Sequence, residues 1–68
     1  MHRLKAQVTW FNQDKRFGFA VPDIVAVDVL INLNLLNTPE LVLEVGDRVY
    51  VEFQQKDGAF YATNVIPL

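Results

Sequence analysis

The sequence predicts an all-β fold, a small five-stranded antiparallel barrel with Greek-key connectivity. Three observations predict it. Apolar residues recur at every second position in several short runs, an Asp57-Gly58 pair stands between the last two runs, and a long connection separates the third run from the fourth.

The first strand is expected over residues 4–11, where Ala6 and Val8 alternate with Lys5, Gln7 and Thr9, and it stops at the polar turn Asn12-Gln13-Asp14-Lys15. Residues 16–21 form the second, ended by Pro22-Asp23. The third, 28–33, sets Val29 and Ile31 on one face and Leu30 and Asn32 on the other. Residues 48–54 give the cleanest alternation, with Val49, Val51 and Phe53 against Arg48, Tyr50 and Glu52. Asp57-Gly58 then supplies the positive φ angles of a tight hairpin, and residues 59–65 return as the fifth strand. In the connection before the fourth strand, Pro39 limits any helix to about one turn, and Gly46-Asp47 redirects the chain. A short 3₁₀ segment is expected around residues 34–36. Five short strands with a long link after the third suit a barrel of the OB type, forming one domain over residues 1–68.

At this length a domain buries only about 60% of the surface its unfolded chain exposes, so stability is marginal. The absence of cysteine removes disulfide staples and cysteine-based zinc sites, and no metal or cofactor is expected. The first residues, M-H-R-L-K-A-Q-V, lack the apolar run of a signal peptide, and no stretch approaches a membrane span; a cytoplasmic protein without membrane contact is the simplest expectation. Net charge is −2, the wrong sign for an ordinary nucleic-acid binder. Its distribution is uneven: residues 1–20 hold Arg3, Lys5, Lys15 and Arg16 against Asp14, net +3, while residues 21–68 are net −5. Either the first two strands carry a basic patch of modest, salt-sensitive affinity for phosphates, or these cations are scattered solvating charges.

The stretch V-T-W-F-N-Q-D-K-R-F-G-F, residues 8–19, carries four aromatic residues and two adjacent cations around a glycine. Phe17 and Phe19 share one strand face, and Gly18 and Ala20 share the other. Spacing leaves two readings open. If Gly18 and Ala20 face the barrel interior, both rings project outward beside Lys15 and Arg16, where bases can stack and phosphates can be met. Otherwise both rings are core and the glycine marks a bulge. Strict alternation also places Val8 and Trp10 on one face, so burying Val8 while exposing Trp10 requires a bulge near Thr9. Phe11 is then either a second surface ring or a core plug.

The residues W-F-N-x-x-K-x-F-G-F, followed by a D-V-x-I strand, a turn glycine and a closing A-x-N-V segment, resemble the bacterial cold-shock domain over essentially the whole chain. The resemblance implies a five-stranded OB barrel that binds single-stranded RNA and DNA on the face of strands one to three, in the manner of an RNA chaperone. The first ribonucleoprotein motif of that family, K-G-F-G-F, becomes Lys15-Arg16-Phe17-Gly18-Phe19: the Phe pair and the lysine are kept, and the first glycine is an arginine. Arg16 would add a phosphate contact, but its backbone must avoid a positive φ or bear strain. Trp10 matches the exposed stacking tryptophan, and Asn12 a polar residue at the strand's end. The second motif, V-F-V-H-F, becomes Val29-Leu30-Ile31-Asn32-Leu33, so Leu30, Asn32 and Leu33 occupy binding positions with both aromatics gone. Thr9 stands where a lysine precedes the tryptophan, and residues 38–43 hold no aromatic. The position of Tyr61 lies near the family's binding surface, where its ring would partly replace a lost platform.

Stacking is worth about 1–3 kcal/mol per base by truncation, and about 1.4 kcal/mol is tenfold in affinity. Two or three lost platforms therefore weaken binding by roughly two to four powers of ten. The expected partner is single-stranded RNA or DNA, bound weakly over a few nucleotides centred on Trp10, Phe17 and Phe19.

A second reading is an interaction module, a homodimer or a docking domain for a protein. It rests on the apolar link Ile24-Val25-Ala26-Val27 together with Leu30, Leu33, Leu35, Leu36 and Leu41, unless residues 24–27 extend a strand and fold onto the barrel. Catalysis has no support. His2 is the sole histidine, no Ser–His–Asp set exists, and Glu40, Glu44, Asp47, Glu52 and Asp57 are dispersed through loops and a strand face.

Overall fold

The structure, a computed structural model, describes residues 2–36, 38 and 40–68, and for His2 the backbone alone. Five strands, β1 (His2–Asn12), β2 (Phe17–Pro22), β3 (Val29–Asn32), β4 (Arg48–Lys56) and β5 (Ala59–Pro67), close into a barrel in the spatial order β1-β2-β3-β5-β4. A 3₁₀ turn, Leu33–Leu35, follows β3 directly, one residue earlier than the sequence suggests. The proposed role of Pro39 in limiting a helix falls outside the described residues. The architecture is the expected five-stranded OB-type barrel.

Among the described residues, four ladders are antiparallel and one, β3 with β5, is parallel through Val29↔Phe60 and Leu30↔Tyr61. The all-antiparallel pattern has to fail once. A closed ring with an odd number of strands cannot alternate direction all the way round, and the long crossover between β3 and β4 is what lets β5 arrive parallel to β3.

Alternation decides what fills the barrel. Ala6, Val8, Ala20, Val29, Ile31, Val49, Val51, Phe53 and Val65 point inward and are buried, joined by Leu33 and Leu43 from the connections. These are mostly β-branched or small side chains, which fit the crowded interior of a small barrel. Phe60 settles the parity of the last strand: its ring packs edge-on against Phe53 at 5.9 Å, leaving Tyr61 to the outside. The β4–β5 hairpin turns on Asp57 (φ 54°) and Gly58 (φ 81°), the two successive positive angles expected of an Asp-Gly pair.

The connection into β4 is tied down rather than loose. Leu43 is buried, Gly46 N donates to Val8 O (2.8 Å), and Val8 N donates to Asp47 O (2.9 Å), so the end of the connection pairs with β1. Gly46 has φ 95°, and the Asp47 carboxylate accepts from Glu44 N (2.9 Å) to close that turn. At the next residue, the Arg48 guanidinium donates two hydrogen bonds to the Asp23 carboxylate, linking the end of β2 to the start of β4. That contact holds the exposed Asp23 carboxyl below its ordinary range and raises Arg48, with partial desolvation opposing both.

Candidate nucleic-acid interface

The site begins with one extra residue in β1. Pairing runs Val8↔Ala20 and then Trp10↔Phe19, so the register shifts at Thr9. That bulge reverses the parity of everything after it: Val8 is 1% exposed and Trp10 is 45% exposed although they are two residues apart. Phe11 takes the inward direction and packs partly buried on the core.

Gly18 lies opposite Phe11, and a Cβ there would sit 2.2 Å from Trp10 O and 2.6 Å from the Phe11 ring. The reason for glycine is close approach of the bulged strand. Gly18 and Ala20 face inward, so Phe17 and Phe19 face outward, which decides between the two readings of this segment.

Three rings then meet. Trp10 lies 5.3 Å from Phe17 in an edge-to-face arrangement and 6.1 Å from Phe19 in a tilted one. Strand pairing extends the cluster sideways as a row, because Trp10 pairs with Phe19, Phe19 with Leu30, and Leu30 with Tyr61. Neighbouring strands stand about 4.8 Å apart, so the row crosses four strands in roughly 15 Å. Leu30 is half-buried, and Tyr61 is 39% exposed. Trp10, Phe17, Phe19, Leu30 and Tyr61 are therefore brought onto one face.

The other residues picked out from the sequence divide differently. Asn12 pairs with Phe17, and its side-chain oxygen accepts from Lys15 N (2.9 Å) to shape the β1–β2 turn. Asn32 also pairs with Phe17, from β3, and its side-chain oxygen accepts from Asn34 N (3.0 Å) at the start of the 3₁₀ turn. Both asparagines flank the rings while their oxygens hold the local backbone. Lys15 is exposed in that turn, next to the aromatic cluster.

Leu33 is a correction. It is 2% exposed and belongs to the core, because it continues the inward face of Val29 and Ile31 at the same period-two parity. The apolar patch loses it too, and Leu36 and Leu41 pack half-buried against the core. Ile24 and Val25 do stay exposed, so residues 24 and 25 do not fold onto the barrel, whereas Val27 packs against it.

Arg16 adopts φ 58°, the left-handed region, and its guanidinium donates to Thr38 O (2.9 Å) and Leu41 O (2.8 Å). Such a backbone costs an ordinary residue about 1–2 kcal/mol, and hydrogen bonds from a charged group return about 1.5–3 kcal/mol each. The strain is thereby offset.

The basic end of the chain is also not a single patch. Arg3 and Lys5 lie over the Tyr50 ring at 5.5 and 5.9 Å on the β1–β4 side, with Arg3 3.7 Å from Glu52. Lys15 alone of the four sits in the turn beside the rings with its side chain exposed.

Sequence reasoning missed Asn34, whose amide nitrogen donates to Lys15 O (3.0 Å) and joins the 3₁₀ turn to the β1–β2 turn. It also missed Gln13, whose amide donates to Leu43 O. The N-L-N spacing at residues 32–34 is an Asx-turn signal that points to the first; the reach of Gln13 leaves no local trace. Among the described residues no cluster of His, Asp or Glu could hold a metal, and no helix is long and apolar enough to cross a membrane.

The model of a family described as the 'Cold-shock' DNA-binding domain matches residues 4–68. The chain is 38% identical over 71 aligned positions to cold shock-like protein CspE of Escherichia coli (strain K12), covering all of both chains. It is 36% identical over 62 positions to cold shock-like protein CspA of Shewanella violacea, covering 90% of this chain and 89% of that one. Cold shock-like protein CspG of Escherichia coli (strain K12) is 31% identical over 68 positions, covering 98% and 97%. With the barrel and its exposed aromatic face, these matches assign the chain to the cold-shock family of nucleic-acid-binding domains.

Proposed function

We propose that this chain binds short single-stranded RNA or DNA as an RNA-chaperone-type protein, with affinity well below that of a full aromatic face. The observation that carries this reading is the outward-facing row Trp10–Phe19–Leu30–Tyr61 with Phe17 against Trp10. Four rings offer stacking surfaces, and Leu30 interrupts the row where a ring would continue it. Aliphatic contact at Leu30 is tolerant of any base but lacks a π-face. Lys15 meets the backbone phosphates, and the net charge of −2 keeps the electrostatic attraction small.

The test is titration of a short oligothymidylate at low salt, following Trp10 fluorescence. Saturable quenching in the micromolar range is expected, since Trp10 would stack directly on a base. Unchanged fluorescence at high micromolar concentration contradicts the reading.

Self-association is the second reading, favoured by the exposure of Ile24 and of Leu35, which is 80% exposed. It is weakened by the burial of Leu33 and the packing of Leu36. These apolar residues lie in the connections before and after β3 rather than on one strand face. Sedimentation at several concentrations separates the two readings: a monomer that shifts only with oligonucleotide supports binding, and a concentration-dependent dimer indifferent to it supports self-association.

A further inference from the structure

We infer that Arg16 is a positioning residue, a strut that fastens the β3–β4 connection to the β1–β2 turn, and that it is not a phosphate ligand. The second half of this inference rests on the nucleic-acid reading above; the first does not.

Two observations carry it. Arg16 occupies a left-handed backbone position that glycine fills without cost, so an arginine there brings strain as well as a side chain. That side chain crosses to the connection and donates from one nitrogen to both Thr38 O and Leu41 O. Thr38 O is also the acceptor of Leu41 N (3.2 Å), so the guanidinium grips the two ends of a turn that the backbone itself closes weakly.

The surroundings fit a fastening role. Gln13, from the same β1–β2 turn, donates to Leu43 O, and Asn34 donates to Lys15 O. Three polar side chains thus bind the turn carrying Lys15 to the segments beside it. The backbone of Arg16 is part of the same knot: its N donates to Asn12 O (2.8 Å) and its O accepts from Leu33 N (2.9 Å). Phe17 is the next residue, so the strut also fixes where β2 and its first ring begin.

Arg16 keeps its charge, but a guanidinium nitrogen committed to two backbone carbonyls is not offered to a phosphate. Lys15 and Arg16 are adjacent in sequence and look equivalent as cations, yet the geometry gives them different work.

The experiment uses Arg16→Gly and Arg16→Asn, both compatible with a positive φ and both too short to reach Thr38 O, so the barrel is kept. Amide hydrogen exchange at Leu41, read by NMR without nucleic acid, is expected to accelerate by about tenfold or more in both variants, as local opening of that turn loses its clamp. Unchanged Leu41 exchange in either variant overturns the strut. In the second arm, the salt dependence of oligothymidylate binding is compared with that of Lys15→Gln. Lys15→Gln is expected to reduce the slope of log K against log salt by about 0.7, the value for one phosphate on a single strand, while the Arg16 variants leave it unchanged. A reduction in the Arg16 variants equal to that of Lys15→Gln overturns the claim that Arg16 is no phosphate ligand. If no oligonucleotide binds any of these proteins, the nucleic-acid reading fails, and Leu41 exchange alone decides the strut.

Discussion

Two leucines of one short segment have opposite fates, and single substitutions separate them. Leu30 lies in the outer row between Phe19 and Tyr61, whereas Leu33 is in the core. Leu33→Ala is expected to cost about 2–5 kcal/mol of stability, read from the urea midpoint, without a specific loss of affinity in the folded fraction. Trp10→Ala is expected to do the reverse: its ring is half in solvent, so stability changes little while oligonucleotide affinity falls by about 1–3 kcal/mol. Gly18→Ala tests the tight approach of the bulged strand. Its Cβ would press on the backbone oxygen of Trp10, and overpacking of this kind costs about 1–3 kcal/mol or more. Period-two alternation put the Phe pair on one face and Gly18 on the other, but which face is outward was left open by the sequence and decided by the structure. Leu33 shares the parity of the buried Val29 and Ile31, so alternation alone points it inward, and only the family's second motif had placed it on the binding face. The sequence could not show that Arg16 donates to the β3–β4 connection, because its acceptors lie 22 and 25 residues away.

At the scale of elements, the bulge in β1 lets one strand bury Val8 and expose Trp10. It was legible because Val8 and Trp10 demand opposite environments at the same parity. The parallel β3–β5 ladder departs from the antiparallel barrel expected from the sequence, since a closed ring with an odd number of strands requires one such pair. Strand ends ran one or two residues beyond the pattern, as at Lys56 and Pro67, because hairpin pairing continues after the core-facing alternation has ended. The Asp23–Arg48 contact between the end of β2 and the start of β4 makes a pH prediction. The folded carboxyl is held below the ordinary carboxylate value of about 3.9, so its contribution is fully present above that value and disappears as pH falls through the lowered one. Asp23→Asn is expected to flatten the acid side of the stability curve, measured by thermal unfolding from pH 2 to 6. The effect should be small and shrink in high salt, because both groups are exposed to solvent. An acid limb that is identical in the two proteins at low salt would show that the pair contributes nothing.

The whole molecule is a cold-shock barrel whose exposed face is aromatic on β1 and β2 and aliphatic on β3. Sequence pattern identified the fold and the family, and the row Trp10–Phe19–Leu30–Tyr61 explains in geometric terms why a change from ring to leucine on one strand matters. Arg3 and Lys5 lie over Tyr50, Arg3 beside Glu52, and Arg16 donates to a connection, so the proposed binding rests on stacking more than on phosphate contact. The most direct measurement is the affinity of Leu30→Phe relative to the natural chain for the same short oligothymidylate, by Trp10 quenching at low salt. A ring restored between Phe19 and Tyr61 is expected to tighten binding by about tenfold or more. Equal affinity of the two proteins, or no quenching of either, would contradict the view that this face binds nucleic acid by stacking and is weakened at Leu30.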